Sequence, residues 1–410
     1  AKEEKSRAKG SKKDKSKGPA AVRIAMTVAE RGVHEGELRE VKAEVALDSD
    51  EPKIEFHDPA QGSINADLTV GTDVTSAVRL LSNAGICHDG VKLHGKGFAV
   101  TRNQFESLGF GRRDGIDAVF RPYRNGRDLT AVPFDGARDK FVIDLFGLGE
   151  REVRTMFPEV YQHLLATVKA ERDTNRRESY RKFWWVFGEP RREMRPAMID
   201  LSRYIATVDT ARHRVFQFLD LEVLCDDKVV VIADDSADAL GILQSQIHVE
   251  WAARVGGWLG VGNDSVYAKS KTFDPFPFPD ASPEQRARIA ELAEELDATR
   301  KAALAETGKL TMTELYNLRE KLRSGAEMDD KEQRRATKAR AAIVNRLHEQ
   351  LDQAVADSYG WGEEWRAGTL GPSEIVARLV ALNRERAAEE KAGKIRWLRP
   401  EYQQPRFGKK

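Results

Sequence analysis

The sequence predicts an α+β fold, a mixed β/α domain followed by an all-helical one. Three observations carry this. Short apolar runs punctuated by glycine dominate the first 280 residues. A proline-alternating segment, Asp274-Pro275-Phe276-Pro277-Phe278-Pro279, then interrupts the chain. Beyond it, apolar residues recur at helical spacing almost to the end. The chain has 410 residues, which at about 150 per domain predicts two or three domains.

The elements follow in order. Residues 1–18 hold eight Lys/Arg, three acids and no large apolar residue, so residues 1–19 are expected to form a disordered basic linker. The first residue is Ala rather than Met, which raises the expectation of a fragment or a processed product. Residues 20–150 read as strand-rich. Apolar and polar residues alternate from Val22 to Val28, and an apolar run covers Phe141 to Leu148. Helical spacing then links Val153, Phe157, Val160, Tyr161, Leu164 and Val168, with Pro158 at an early turn or a kink. Short β-like runs return at 204–208, 215–219 and 229–233, followed by a helix over 237–255 that ends before Gly256. After the prolines, Ser282, Pro283 and Gln285 make a helix start, and Thr311 with Glu314 repeats the capping-box logic. A long helix is expected over 330–358, carrying Ile343, Leu347, Leu351 and Val355, and another near 373–390 with Ile375, Leu379 and Leu382. The last twenty residues carry seven basic residues and one acid.

Composition excludes several classes. Lys plus Arg total 67 and Asp plus Glu 66, so the overall charge neither favours nor disfavours nucleic acid, and local distribution decides. Cys87 and Cys225 make no disulfide scaffold and no zinc spacing. His88 and His94 beside Cys87 lack a fourth ligand, so no metal is expected. No run of 18 apolar residues and no signal peptide is present, which predicts a cytoplasmic chain without a membrane partner.

Two segments carry nucleic-acid chemistry. Residues 169–195 hold nine Lys/Arg and five acids, interleaved with Tyr180, Phe183, Trp184, Trp185 and Phe187. Guanidinium and ammonium groups neutralise phosphates and aromatic faces stack on bases. The competing reading is a solvated helix face followed by a core strand, in which at least one of Trp184 and Trp185 is core because successive strand residues face opposite sides. Arg172, Arg176, Arg177 and Trp184 are the candidates here. The second segment is Arg121-Pro122-Tyr123-Arg124-Asn125-Gly126-Arg127-Asp128, where Asn125-Gly126 signals a tight turn. Arg121, Tyr123, Arg124, Asn125 and Arg127 would project on it, unless the arginines simply pair with Asp114, Asp117 and Asp128. Arg212, Lys228, Asn263 and Lys269 are next in line. Two motifs are decoys. Phe146-Gly147-Leu148-Gly149 lacks the third glycine of a dinucleotide loop, Glu152 standing there. The alternating prolines of 274–279 read as an extended connector rather than a methyltransferase motif.

Several longer strings resemble one family. They are INADLTVGTDV (64–74), KLHGKGFAVT (92–101), FRPYRNGRDLT (120–130), KFVIDLFGL (140–148), RYIATVDTARHRVFQFLD (203–220), LGILQSQIHVEWA (240–252), GVGNDSVYAKSKTFDPFPFPD (260–280), LTMTELYNLREKLRSG (310–325) and IRWLRPEYQQP (395–405). They resemble the C-terminal half of the large site-specific adenine DNA methyltransferases, including the MmeI-like fused restriction–modification and phage-defence enzymes. The resemblance implies a target-recognition domain at 60–280, a helical domain at 281–395 and a basic tail at 396–410. Residues 20–59 would be the tail of a methyltransferase domain or a connector. The lysine-rich first segment departs from the family pattern. In that family an upstream domain supplies the S-adenosylmethionine loop and the NPP[YF] catalytic motif, and neither is in these residues. The chain is therefore expected to bind double-stranded DNA, to carry no cofactor itself and to perform no chemistry without a methyltransferase catalytic domain in cis or in trans. The alternative is a structural protein that uses its helical domain for assembly.

Overall fold

The computed structural model describes residues 26–28, 30–32, 35–45, 53–62, 64–65, 69–131, 140–259 and 264–408. The expected linker at 1–19 lies outside these residues. So does most of the alternating stretch that begins at Val22, and its described part, 26–28, is not strand.

An antiparallel four-stranded sheet sits at the centre, in the order Gln217–Asp220 (β7), Arg203–Val208 (β5), Val229–Ile232 (β9), Cys87–Asp89 (β1). Tyr204, Ile205, Ala206 and Thr207 are all buried, as are all four residues of β9. This is why both read as continuous apolar runs rather than alternations: each face of the sheet is covered. A second sheet orders Leu224–Cys225 (β8), Phe120–Arg124 (β3), Lys140–Ile143 (β4) and Ala99–Val100 (β2), with β8 parallel to β3. A third joins Thr210–Ala211 (β6), Asp264–Val266 (β11) and Gly257–Leu259 (β10). The predicted run at 215–219 becomes strand two residues later, at 217. One hydrophobic core lies between the first two sheets and the helices of residues 150–173, and it takes in Trp184 and Trp185.

The helix expected over 150–169 breaks where Pro158 stands. Helix α2 covers Glu150–Met156 and α3 covers Pro158–Leu164. Pro158 occupies the first helical position of α3, where its missing N–H costs nothing. The apolar stripe is still the buried one: Val153, Phe157, Val160, Leu164 and Val168 are all covered. The earlier short helix Gly126–Thr130 is α1. The helix expected over 237–255 is two, Ala237–Gln244 (α4) and Gln246–Val255 (α5), because Ser245 is extended and its hydroxyl accepts the His248 N–H. Helix α4 has seven buried residues out of eight. It lies between the central sheet and helix Pro283–Thr307 (α6). A Cβ on Gly241 would stand 2.5 Å from Ile289 Cγ2 of α6, so glycine sets how closely the two helices approach.

The longer helices that follow are Met312–Ser324 (α7), Asp330–Lys338 (α8), Ala341–Ser358 (α9), Pro372–Lys391 (α10) and Pro400–Phe407 (α11). Both predicted capping boxes form, at Ser282/Gln285 and Thr311/Glu314. The long helix expected over 330–358 is interrupted by Arg340, which adopts a left-handed conformation with φ 53°. The break rephases α9, so Val344 is buried and Ile343 is 40% exposed. In α10 Leu382 is half-buried and its neighbour Asn383 is fully buried. The Asn383 side chain accepts the Val78 N–H at 3.0 Å and donates to the Val78 and Pro275 carbonyls.

Asp352 on α9 joins this region to α5, accepting the Gln246 N–H at 2.7 Å. Burial pushes its carboxyl up to about 7. Raising the folded value above the unfolded one makes the protonated form the stable one. Stability from this group is complete below about pH 4 and is lost as pH rises through 7. Asp352→Asn keeps an acceptor and removes the ionisation. Urea melts should show a higher midpoint for D352N at pH 8 and a nearly unchanged one at pH 4. Equal shifts at both pH values would contradict the assignment.

Candidate nucleic-acid interface

The segment that carries most candidates leaves β3 at Asn125. The Asn-Gly pair was expected to close a hairpin, and instead it starts α1. The Asn125 side chain accepts the Asp128 N–H at 2.9 Å, and the Asp128 carboxylate accepts the Asn125 N–H at 3.2 Å. This reciprocal box favours a helical turn over the two-residue hairpin that asparagine and glycine also allow. A Cβ on Gly126 would lie 2.9 Å from Val208 Cγ1 and 3.3 Å from the Lys228 carbonyl. Glycine therefore lets α1 rest against the end of β5 and the turn that follows β8.

That turn is held from several sides. The Asp226 N–H donates to the Arg124 carbonyl at 2.9 Å, and Asp226 Oδ1 accepts the Lys228 N–H at 3.0 Å. Lys228 Nζ lies 3.3 Å from Asp209 Oδ2. Beneath it, buried Arg214 donates to the Val208 carbonyl and, at 2.7 Å, to the Ser265 carbonyl, tying β5 to β11. The chain from Asp209 to His213 thus has a fixed base, and Arg212 projects from it into solvent.

These elements enclose an open cleft of about 760 Å³ lined mostly by polar and charged residues. Asn125 and Arg127 line it from α1, Lys140 from β4, Arg212 and His213 from the loop after β6, and Lys228 from its turn. Met312 and Thr313 at the start of α7 form the opposite lip. Four carboxylates, Asp128, Asp209, Asp226 and Asp264, stand among the cations. Burial raises the Asp226 carboxyl, helped by Asp227 and Asp209. The hydrogen bond to Asp209 raises the Lys228 ammonium and keeps it charged. Burial lowers the His213 imidazole and keeps it neutral.

Of the sequence candidates, the cleft brings together Asn125, Arg127, Arg212 and Lys228. Arg124 lies beside it, half-buried. Others are elsewhere. Arg121 turns the opposite way, its guanidinium donating to the Leu221 and Glu222 carbonyls at 2.5 and 2.7 Å. Tyr123 is half-buried and packs on the core. Arg172 is 1% exposed and spans the Leu93 and Val186 carbonyls under the Tyr180 ring, so it cannot meet a phosphate. Trp184 and Trp185 are both buried, their indole N–H groups donating to Glu150 Oε1 and the Leu148 carbonyl. The expectation that at least one of them is core is met by both, so Trp184 offers no exposed face to a base. The pair follows a helical turn at Glu178–Lys182, where strand alternation does not apply. Arg176 and Arg177 are exposed, and Arg177 donates to the Tyr180 hydroxyl at 2.8 Å. Lys269 is half-buried at the start of the short helix Lys269–Thr272, outside the cleft lining. Asn263 lies outside the described residues.

His213, Asp226 and Thr313 were not among the sequence candidates; His213 and Thr313 stand inside longer family-like strings and Asp226 in none. They meet only because β6, β8 and α7 converge. The Phe146–Gly149 turn does not fit a cofactor phosphate: the Glu152 carboxylate accepts the Gly149 N–H at 2.6 Å and occupies the start of α2. Among the described residues no three His, Cys, Asp or Glu side chains are grouped to hold a metal ion, and no helix is long and apolar enough to cross a membrane.

Residues 149–280 match the family model described as MmeI, target recognition domain. The fold is similar to a solved structure of the type IIL restriction–modification enzyme MmeI in complex with DNA, with a TM-score of 0.59 and 17% identity. That similarity covers 90% of this chain and 45% of the other, so this chain spans less than half of the enzyme it matches. No curated protein matches the sequence. The resemblance expected from the sequence is thereby borne out as a recognition-domain match over 149–280 and as a fold over most of the chain, and the α+β class with it.

Proposed function

We propose that this chain, whose residues 149–280 carry the target-recognition match, is the sequence-reading part of a site-specific adenine-N6 DNA methyltransferase in a cytoplasmic restriction–modification or phage-defence system. The observation that carries this reading is the convergence of Asn125, Arg127, Arg212 and Lys228 on one cleft. They come from sequence stretches about a hundred residues apart, and such a convergence is what a groove-entering surface requires. Arg127, Arg212 and Lys228 lie at the exposed rim and hold phosphates, while Asn125 offers its amide to a base edge. Arg176 and Arg177 extend the backbone contacts over the neighbouring surface. We assign 60–280 to recognition and 281–395 to a helical domain that buttresses it.

The catalytic half is a separate methyltransferase domain, in cis or in trans, that receives the target adenine flipped out of the duplex. S-adenosylmethionine belongs to that half, where it supplies the methyl group. This chain's residues hold and orient the duplex and select the site. Incubated alone with labelled S-adenosylmethionine and mixed-sequence DNA, the chain should incorporate no more label than a boiled control. Its binding to duplex DNA should weaken with salt, log affinity falling against log salt with a slope of about −4 to −6 for five or six phosphates. Salt-independent binding, or none, would count against the reading and favour an assembly role.

A further inference from the structure

The composition of the cleft is not that of a phosphate trough. Its four cations are matched by four carboxylates, and carboxylates repel the DNA backbone. Acceptors that face a duplex have a use at base edges, where cytosine N4 and adenine N6 present amines in the major groove. One neutral acceptor in the cleft is oriented from outside the recognition match. His213 Nε2 lies 2.8 Å from Asn317 Oδ1, on α7. An amide oxygen only accepts, so Nε2 carries the proton of this bond. In the neutral imidazole the other nitrogen, Nδ1, is then left with its lone pair as an acceptor. The Tyr316 ring, 5.9 Å away between centroids, backs the imidazole. The charged groups that face it are Arg212 on its own loop and Arg319 and Glu320 on α7; burial, aided by the two arginines, outweighs the Asn317 hydrogen bond and Glu320 and lowers the imidazole. No ion pair or hydrogen bond of His213 competes for Nδ1 among the described residues.

We propose that His213 is a specificity-determining residue of the cleft and Asn317 its positioning residue: Nδ1 accepts a hydrogen bond from the exocyclic amine of a cytosine or adenine, and the helical region fixes which ring nitrogen faces the DNA. This deepens the recognition reading above and rests on it. It also makes α7 part of the readout rather than a remote support.

The test is selection from a randomised duplex pool with the full chain, comparing the wild type with His213→Ala, His213→Asn, Asn317→Leu and Asn317→Asp, each checked for an unchanged melting temperature. The wild-type consensus should hold one cytosine or adenine whose discrimination falls roughly tenfold in H213A, the worth of one hydrogen bond. H213N places an amide oxygen near the position of Nδ1 and should restore it. N317L should relax the same position, because the ring is no longer oriented. N317D accepts the same proton but adds a charge that favours the imidazolium, whose Nδ1 donates. Its consensus should therefore move toward guanine or thymine at that position alone. A purely structural role for Asn317 would not change base identity. An unchanged consensus from H213A overturns the proposal, as does an N317D consensus identical to that of the wild type. A wild-type chain that binds without sequence preference overturns the recognition reading itself, a separate result visible before any variant is compared.

Discussion

Replacing Arg300 with alanine should destabilise the chain by about 3–5 kcal/mol, the cost of removing one partner from a buried ionic network. Arg300 is fully buried on α6 and sits at a crossing of four elements. It donates to Gln244 Oε1 of α4 and the Tyr316 hydroxyl of α7, both at 2.9 Å. It also donates to the Phe216 carbonyl at 2.8 Å, and it pairs with Asp297 at 3.0 Å. Truncation leaves the Phe216 carbonyl without this donor, while Asp297 keeps Lys301 at 2.6 Å and Gln244 Oε1 keeps the Phe216 N–H at 2.9 Å. Tyr316 loses one partner but keeps His348 Nε2 at 2.8 Å, so the network contracts rather than vanishes. Arg300→Lys keeps the charge and should still lose much of the stability, since an ammonium on a flexible stem cannot reproduce the planar fork. Urea denaturation followed by the fluorescence of buried Trp251 measures both. A loss under about 1 kcal/mol for the alanine variant would mean that water or a shifted Lys301 replaces the guanidinium.

The second large effect concerns DNA. Reversing the cleft rim, with Arg127, Arg212 and Lys228 all changed to glutamate, should lower duplex affinity by about 10³-fold or more at 50 mM salt and flatten the salt slope by about 2 to 3. These side chains are exposed, and among the described residues the only ion pair they make is Lys228 with Asp209, which is partly solvated. Folding should therefore be nearly unaffected, and a melting curve run alongside the binding titration separates the two. Arg172→Ala is the internal contrast. It should destabilise the fold by opening the space between the Phe98 and Tyr180 rings, yet leave the salt slope where it was. If the glutamate triple variant binds with wild-type affinity, the duplex lies elsewhere on the surface.

Much of this was legible in the sequence for a physical reason. Capping boxes are local, so Ser282/Gln285 and Thr311/Glu314 form where they are read, and apolar stripes such as 153, 157, 160, 164 and 168 find the core wherever the helix bends. Errors arise where one residue interrupts a correct pattern. Ser245 splits one expected helix and Arg340 another, and Asn125 chooses a helix cap over a hairpin. Charge density misled in a different way. Arg172 stands in a basic run yet carries its guanidinium into an aromatic core, which no local count of charges distinguishes from an exposed arginine. The cleft was legible only in part, since Arg212, Lys228 and Asn125 could be singled out one by one but their meeting depends on strand order.

The clasp made by α10 and α11 on residues 78–84 has a kinetic side. Asn383 holds Val78, the Glu390 carboxylate accepts the Leu81 and Ser82 N–H groups at 2.7 and 2.8 Å, and Gln403 donates to the Ser82 and Ala84 carbonyls. These partners lie more than 300 residues apart in sequence. During synthesis the segment that leads into β1 waits for α10 and α11 to leave the ribosome before it can be fastened. Closing so long a loop is slow and makes the final step of folding global rather than local. A stall or cut near residue 380 would thus release an edge of the central sheet at the far end of the chain, and proteolysis should expose it there first.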